Sequence, residues 1–133
     1  SFVARRRHNF ARLHAALADL GDAFVLPEAT AHADPSWFGF LLTCRDGVDR
    51  AKIVPYIEGQ GIQTRMLFAG NLTKHPCFDA MRASGEGYRV TGTLAATDRI
   101  MNDTFWLGVY PGLTDAKIDY MAQVVRDAVH AVQ

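Results

Sequence analysis

The sequence predicts an α/β fold of the α+β sandwich kind, a short mixed sheet with helices packed on one face. Three observations carry that expectation. Residues 37–44 are aromatic and aliphatic almost throughout, and the run has strand rather than helix length. Two further stretches, Gln63-Thr64-Arg65-Met66-Leu67-Phe68-Ala69-Gly70-Asn71 and Phe105-Trp106-Leu107-Gly108-Val109-Tyr110-Pro111-Gly112-Leu113, start like strands and then break into glycine. The last segment instead places Ile118, Met121, Val125, Ala128, Val129 and Val132 on one stripe with helical period.

Taken in order, Phe10, Leu13, Leu17 and Leu20 recur at helical spacing while Arg5, Arg6, Arg7 and Arg12 take other positions, so the chain opens with an amphipathic helix that Gly21 ends. Residues 22–36 carry Pro27, Pro35 and an Asp34-Pro35-Ser36 turn signal, which suits an extended connector with one short strand near Phe24-Val25-Leu26. Residues 37–44 make a central strand. Arg45-Asp46-Gly47 turns the chain into a helix from near Val48, with Ala51, Ile53, Val54 and Ile57 as its apolar face and Gly59 or Gly61 at its end. Pro55 lies past the first turn of that helix and costs about 3 kcal/mol unless the helix bends. Residues 62–68 read as the next strand, and the crossover through 45–61 is long enough for a βαβ unit. Residues 69–87 suit a long loop with a short helix near 78–81, followed by a short edge strand at Tyr88-Arg89-Val90. Thr97 and Asp98 are placed to cap a short helix carrying Ile100 and Met101, after which 104–109 forms another strand. Thr114 caps the final helix, with Asp115 near its positive end.

Composition narrows the function classes. The chain of 133 residues suits one domain that buries roughly two thirds of its unfolded surface. Its 14 Lys+Arg balance 14 Asp+Glu, leaving no net field for nucleic acid or an anionic membrane. No apolar run approaches the roughly 18 residues of a membrane span, and residues 1–8 have no apolar signal core, so a cytoplasmic setting is expected. Cys44 and Cys77 form neither a disulfide framework nor a metal-ligand spacing, and His8, His14, His32, His75 and His130 share no helical face. No metal site is expected. No lysine, serine, cysteine or histidine stands in the sequence context of a nucleophile.

Candidate site residues lie along the two glycine-broken stretches, namely Arg65, Phe68, Gly70, Asn71 and Tyr110, with Phe38 in the central strand. Arg65 precedes a strand end, where its planar fork suits a diphosphate or carboxylate, the plain alternative being a structural salt bridge. Gly70 and Asn71 offer backbone and amide donors to a ligand hydroxyl, although Gly-Asn is also an ordinary turn pair. Tyr110 precedes Pro111-Gly112, where an exposed phenol lines a pocket or simply packs on the last helix. Phe38 is a ligand wall or core. The run Arg5-Arg6-Arg7 is suited to nucleotide phosphates and, more simply, to a solvated helix face.

The ordered blocks Trp37-Phe38-Gly39-Phe40, Thr64-Arg65-Met66-Leu67-Phe68-Ala69-Gly70-Asn71, Thr97-Asp98-Arg99-Ile100-Met101 and 105–113 resemble the C-terminal small domain of fold-type-I pyridoxal phosphate enzymes of the sugar aminotransferase and dehydratase group, the DegT/DnrJ/EryC1/StrS family. They are most similar to CDP-4-keto-6-deoxy-D-glucose 3-dehydratases. The resemblance implies that residues 1–21 form a linking helix from an absent large domain and that 22–133 form the small C-terminal domain. It implies a pyridoxamine phosphate or pyridoxal phosphate enzyme that removes the C3 hydroxyl of a 4-keto-6-deoxy nucleotide sugar in deoxysugar or lipopolysaccharide synthesis. The cofactor is then the electron sink, and a histidine of the large domain is the base where aminotransferases have a lysine. On this reading the chain holds no catalytic and no cofactor-binding residue and is inactive alone.

The resemblance further implies as partners a nucleotide-diphosphate sugar, its own large domain, a second subunit of a homodimer and a reductase. Some enzymes of the group carry an iron-sulfur centre on clustered cysteines, and the sparse Cys44 and Cys77 speak against that version here. Sugar aminotransferases often have a histidine at the Phe38 position, so the apolar ring favours the dehydratase. The rival readings are the C-terminal domain of a sugar aminotransferase and a stand-alone ligand-binding or interaction module of ferredoxin-like type.

Overall fold

A computed structural model describes residues 1–132. The first helix, α1 (Phe2–Ala16), starts where the Ser1 hydroxyl accepts from the Ala4 N–H at 3.3 Å, and it buries Asn9 and Leu13. A short turn of 3₁₀ helix at Ala18–Leu20 leads to β1 (Phe24–Val25) and then β2 (Gly39–Cys44). The next helix, α2 (Arg50–Gly59), begins two residues later than Val48, because Asp49 caps it by accepting from the Ala51 N–H at 2.8 Å. That start turns Ile53 and Ile57 inward, while Ala51 is exposed and Val54 only half-buried. Pro55 does lie inside α2.

β3 (Thr64–Met66) is shorter than residues 62–68, since Phe68 takes a left-handed φ of 48° and turns the chain away from the sheet. Two 3₁₀ turns, Leu72–Lys74 and Pro76–Phe78, then run into α3 (Asp79–Ser84). Tyr88-Arg89-Val90 lies outside the sheet rather than forming an edge strand. α4 (Ala95–Asp103) follows Leu94, itself at a left-handed φ of 54°, with no side-chain cap. Thr97 and Asp98 therefore fall inside α4, and Asp98 is free to serve tertiary contacts. α4 passes directly into β4 (Thr104–Gly108), and the chain closes with α5 (Asp115–Val132), capped by the Thr114 hydroxyl accepting from the Lys117 N–H at 3.3 Å.

The four strands are ordered β1-β2-β4-β3, and every neighbouring pair is antiparallel. The expected mixed sheet is corrected in this respect. β2 and β3 do run parallel, but β4 lies between them, so the βαβ unit is split. Residue types account for the order. β4 is apolar on both faces, with Phe105 and Leu107 on one and Trp106 on the other, which suits an inner strand; the exposed Arg65 and Met66 suit β3 to an edge.

Alternation along the strands turns Phe40, Leu42 and Cys44 to the same face as Phe105, Leu107 and Val109, all buried. Leu13 and Leu17, Ile53 and Ile57, and Ile118, Val125 and Val129 join them in one core, so α1, α2 and α5 cover this face. Each large side chain there contributes roughly 1.5–3 kcal/mol by leaving water. The Cys44 thiol, caught in that layer, is pushed up to about 11 by burial. The opposite face of the sheet carries Gly39, Leu41, Thr43, Arg65, Trp106 and Gly108.

Candidate functional site

Three strands lay a row of side chains across the open face, because Leu41 pairs with Trp106 and Trp106 with Arg65. The Trp106 indole spans this row. Its Nε1 donates to the Met66 carbonyl at 3.2 Å on one side, and its other ring lies so close over Gly39 that a Cβ there would stand 2.8 Å from Cε3. Glycine at 39 is thus what lets the ring lie across β2. Phe38 meets the indole edge-on, with ring centroids 5.4 Å apart, and is 58% exposed, so it is surface rather than core.

Beside the indole, a cleft of about 570 Å³ opens where the edge of β3 faces α5. Arg65, Trp106, Tyr110, Leu113, Lys117 and Tyr120 are among its walls. Arg65 donates to its neighbour's carbonyl, Thr64 O, at 2.8 Å and has no carboxylate at ion-pair distance among the described residues; nor has Lys117. Glu58, at the adjoining rim, accepts from the Thr64 hydroxyl at 2.6 Å. Tyr120 is tied by its hydroxyl to the Gln60 carbonyl at 3.0 Å. Tyr110 is placed by α1, since the buried Asn9 amide donates to the Tyr110 carbonyl at 2.8 Å and to the Leu113 carbonyl at 3.3 Å, and Arg5 donates to Leu113 O at 3.1 Å. The Asn9 Oδ1 itself is buried without a hydrogen-bond partner.

Of the six residues singled out from the sequence, the structure brings Phe38, Arg65 and Tyr110 to one region around Trp106. Phe68 stands 78% exposed at the turn beyond β3. Gly70 and Asn71 belong to a different set of contacts. A Cβ at Gly70 would fall 2.4 Å from the Met101 Cγ, and its φ of +63° is left-handed. Asn71 is buried; its Nδ2 donates to Asp98 at 2.7 Å and its Oδ1 accepts from the Thr73 N–H and hydroxyl at 3.1 and 2.7 Å. That hydrogen bond from Asn71, and then Lys74, hold the Asp98 carboxyl below its ordinary value. Both residues thus bind the loop after β3 to α4. Lys117 and Tyr120 were absent from the sequence-derived set. Their i, i+3 spacing off the apolar stripe of α5 is the signal that points to them.

With the geometry in place, comparison with known proteins decides the family. The DegT/DnrJ/EryC1/StrS aminotransferase family matches residues 1–126. The chain belongs to this family. Lipopolysaccharide biosynthesis protein RfbH of Salmonella typhimurium is 47% identical over 122 residues, 90% of this chain and 27% of that protein. The dTDP-4-dehydro-2,6-dideoxy-D-glucose 3-dehydratase of Saccharopolyspora spinosa is 43% identical over 131 residues, 97% of this chain and again 27% of that protein. The chain therefore spans 27% of the length of these curated relatives. In fold it matches the E. coli GDP-4-keto-6-deoxy-D-mannose-3-dehydratase solved with bound hydrated PLP, at a TM-score of 0.78 and 22% identity, covering 93% of this chain and 31% of that one.

A pyridoxal phosphate site in a DegT/DnrJ/EryC1/StrS protein needs an acid facing the pyridinium nitrogen, a group at the aldehyde carbon and donors for the phosphate. Among the described residues the cleft supplies cations without an acid. Lys74 is paired with Asp98 at 2.9 Å, and Lys52 stands exposed on α2 away from the cleft walls. These residues do not make up the cofactor's donor set. Cys44 is buried and Cys77 exposed, and no group of three His, Cys, Asp or Glu is gathered among the described residues.

Proposed function

We propose that this chain is the small C-terminal part of a pyridoxamine-phosphate-dependent nucleotide-sugar C3 dehydratase, acting on a 4-keto-6-deoxyhexose in deoxysugar or lipopolysaccharide synthesis. The observation that carries the reading is the 43% identity, along 97% of the chain, to a protein named as a 3-dehydratase of a dTDP-4-keto sugar. The site agrees with it. Phe38, exposed against Trp106, offers an apolar wall that holds no proton, whereas Arg65 offers a charge for an anionic substrate. Phe68, Gly70 and Asn71 shape the loop flanking that wall, and Tyr110 closes its other end.

α1 leads in from a large domain that supplies the cofactor, the base and most of the chemistry. Residues 22–133 then form the small domain. The role of the chain is to bind and orient substrate and to exclude water from one side of it. The intact enzyme is a homodimer of the cytoplasm whose product passes to a reductase; among the described residues no helix is long and apolar enough to cross a membrane.

The test is to supply the full-length protein with pyridoxamine phosphate and a 4-keto-6-deoxy nucleotide sugar and to analyse the product by mass spectrometry. Loss of one water without transfer of nitrogen is expected. A stable 4-amino sugar would overturn the reading in favour of the aminotransferase. Phe38→His tests the wall itself, and loss of dehydration rate with unchanged nucleotide binding is the expected result.

A further inference from the structure

We propose that the arginines opening α1 form a latch that sets the position of Phe38, with Arg6 and Arg7 holding the backbone of residues 34–36 where the connector enters β2. They are positioning residues, acting through the Phe38 ring. The value of that position to catalysis rests on the dehydratase reading above; the latch itself rests on hydrogen bonds.

The connector has little else to hold it. Residues 28–34 are exposed, and between residues 27 and 37 the single backbone–backbone hydrogen bond among the described residues runs from the Ala33 N–H to the Thr30 carbonyl. A segment with no strand partner keeps its freedom unless side chains take it up. At its far end the arginines do so. Arg7 donates from Nη2 to the Asp34 carbonyl at 2.9 Å and from Nε to the Pro35 carbonyl at 3.2 Å, and Arg6 donates from Nη1 to the Ser36 carbonyl at 3.2 Å. Trp37 then rests on Phe10 of α1, ring centroids 4.9 Å apart, and the Phe38 carbonyl accepts from the Val109 N–H at 2.6 Å.

Three consecutive carbonyls and one ring thus carry the chain from α1 to the sheet, and the next side chain is Phe38. More than half of that ring faces out and its edge-on contact is with Trp106, so the backbone beneath it decides where the wall stands. Arg5 takes a different target, the Leu113 carbonyl and Asp115, while Asn9 holds the Tyr110 carbonyl. One helix therefore places both Phe38 and Tyr110. The run Arg5-Arg6-Arg7 binds other parts of its own chain, neither a bare solvated face nor a seat for phosphates. The two grips also differ in kind. Arg7 uses two nitrogens on two carbonyls, a fork that lysine cannot copy, whereas Arg6 reaches Ser36 with the single nitrogen Nη1, which an ammonium can replace.

The test is steady-state kinetics of the full-length protein with pyridoxamine phosphate and a 4-keto-6-deoxy nucleotide sugar, beside hydrogen exchange of the Val109 amide. Arg6→Met and Arg7→Met should each lower kcat by about tenfold and leave KM unaltered, the signature of a misplaced wall rather than of lost substrate binding. Arg6→Lys should restore the rate; Arg7→Lys should not. Asp34→Asn removes the exposed carboxylate 2.9 Å from Arg7 but keeps the carbonyl, so kcat should hold. Exchange at Val109 should rise in Arg7→Met while Phe105 and Leu107, deeper in β4, stay protected. In a Phe38→Ala background Arg7→Met should lower kcat no further, because the latch acts only through that ring.

Equal losses with and without the Phe38 ring would overturn the proposal, since a general loss of stability lowers the rate in both backgrounds. An unchanged Val109 exchange in Arg7→Met would overturn it as well. The two readings fail separately. If the dehydratase assignment is wrong, no variant removes water from the keto sugar, yet Val109 exchange still rises in Arg7→Met. If the latch is wrong, the wild type dehydrates its substrate and Arg7→Met changes neither the rate nor the exchange.

Discussion

Asn71 is a buried amide that holds two segments together, its Nδ2 on Asp98 and its Oδ1 on two donors of Thr73. Truncation leaves those groups short of partners in a place water does not reach freely. Asn71→Ala is therefore expected to cost about 1–3 kcal/mol, read as a lower urea midpoint with an unchanged slope. An unaltered midpoint would mean that the amide is kept for a ligand instead of the fold. The two thiols make a second test at this scale. Cys77 is exposed, while Cys44 is buried and its thiol is pushed up to about 11, so thiolate is scarce there near neutral pH. One maleimide per native chain is expected, placed on Cys77 by peptide mapping, with Cys44 reacting only in denaturant.

Among the elements, α2 carries the clearest local conflict. Pro55 has no N–H to give to the fourth residue back, and its ring crowds that carbonyl, yet Ile53 and Ile57 bury the helix on either side of it. Pro55 is itself exposed, so Pro55→Ala should restore the bond without disturbing the core and raise stability by up to about 3 kcal/mol in chemical denaturation. No gain would show that α2 accommodates Pro55 without cost. The identity of the strands was legible because residues 39–44 and 104–108 are apolar on both parities. Their order was not. Nothing local separates a βαβ unit with adjacent strands from one split by a third, and only the long-range register of Gly39 with Gly108 through Thr43 with Thr104 decides it. The site divides in the same way. Arg65 and Tyr110 announced themselves at strand ends, but Lys117 reaches the cleft only because α5 docks beside β3. The packing of Met101 against Gly70-Asn71 was not legible, because that side chain lies 30 residues along the chain.

At the scale of the whole molecule, neutral charge conceals an uneven arrangement, since ion pairs tie the N-terminal segment to the last helix. Arg5 meets Asp115 at 2.7 Å, Arg12 meets Asp119 at 2.8 Å, and Asp19 pairs with Arg126. The three carboxyls are held below their ordinary value, first of all by hydrogen bonds from Arg5, Arg12 and Arg126 respectively. A carboxyl depressed in the folded state contributes stability that is present above its unfolded pKa and is lost as pH falls through the folded one. The window for these pairs thus lies below about pH 4, under the ordinary carboxylate range. Stability between pH 5 and 7 should be flat as far as these groups are concerned. Below that window α1 should loosen from α5 before the sheet gives way, and hydrogen exchange of the α1 amides should rise ahead of those in β2 and β4. Because the pairs are exposed, added salt should shrink the difference. Loosening of α1 would also release the Asn9 and Arg5 bonds to the Tyr110 and Leu113 carbonyls, so exchange in residues 110–113 should rise in step with that of α1. Exchange that rises in α1 and β4 together would instead mean that helix and sheet open as one unit, with Tyr110 placed by the global fold and not by α1.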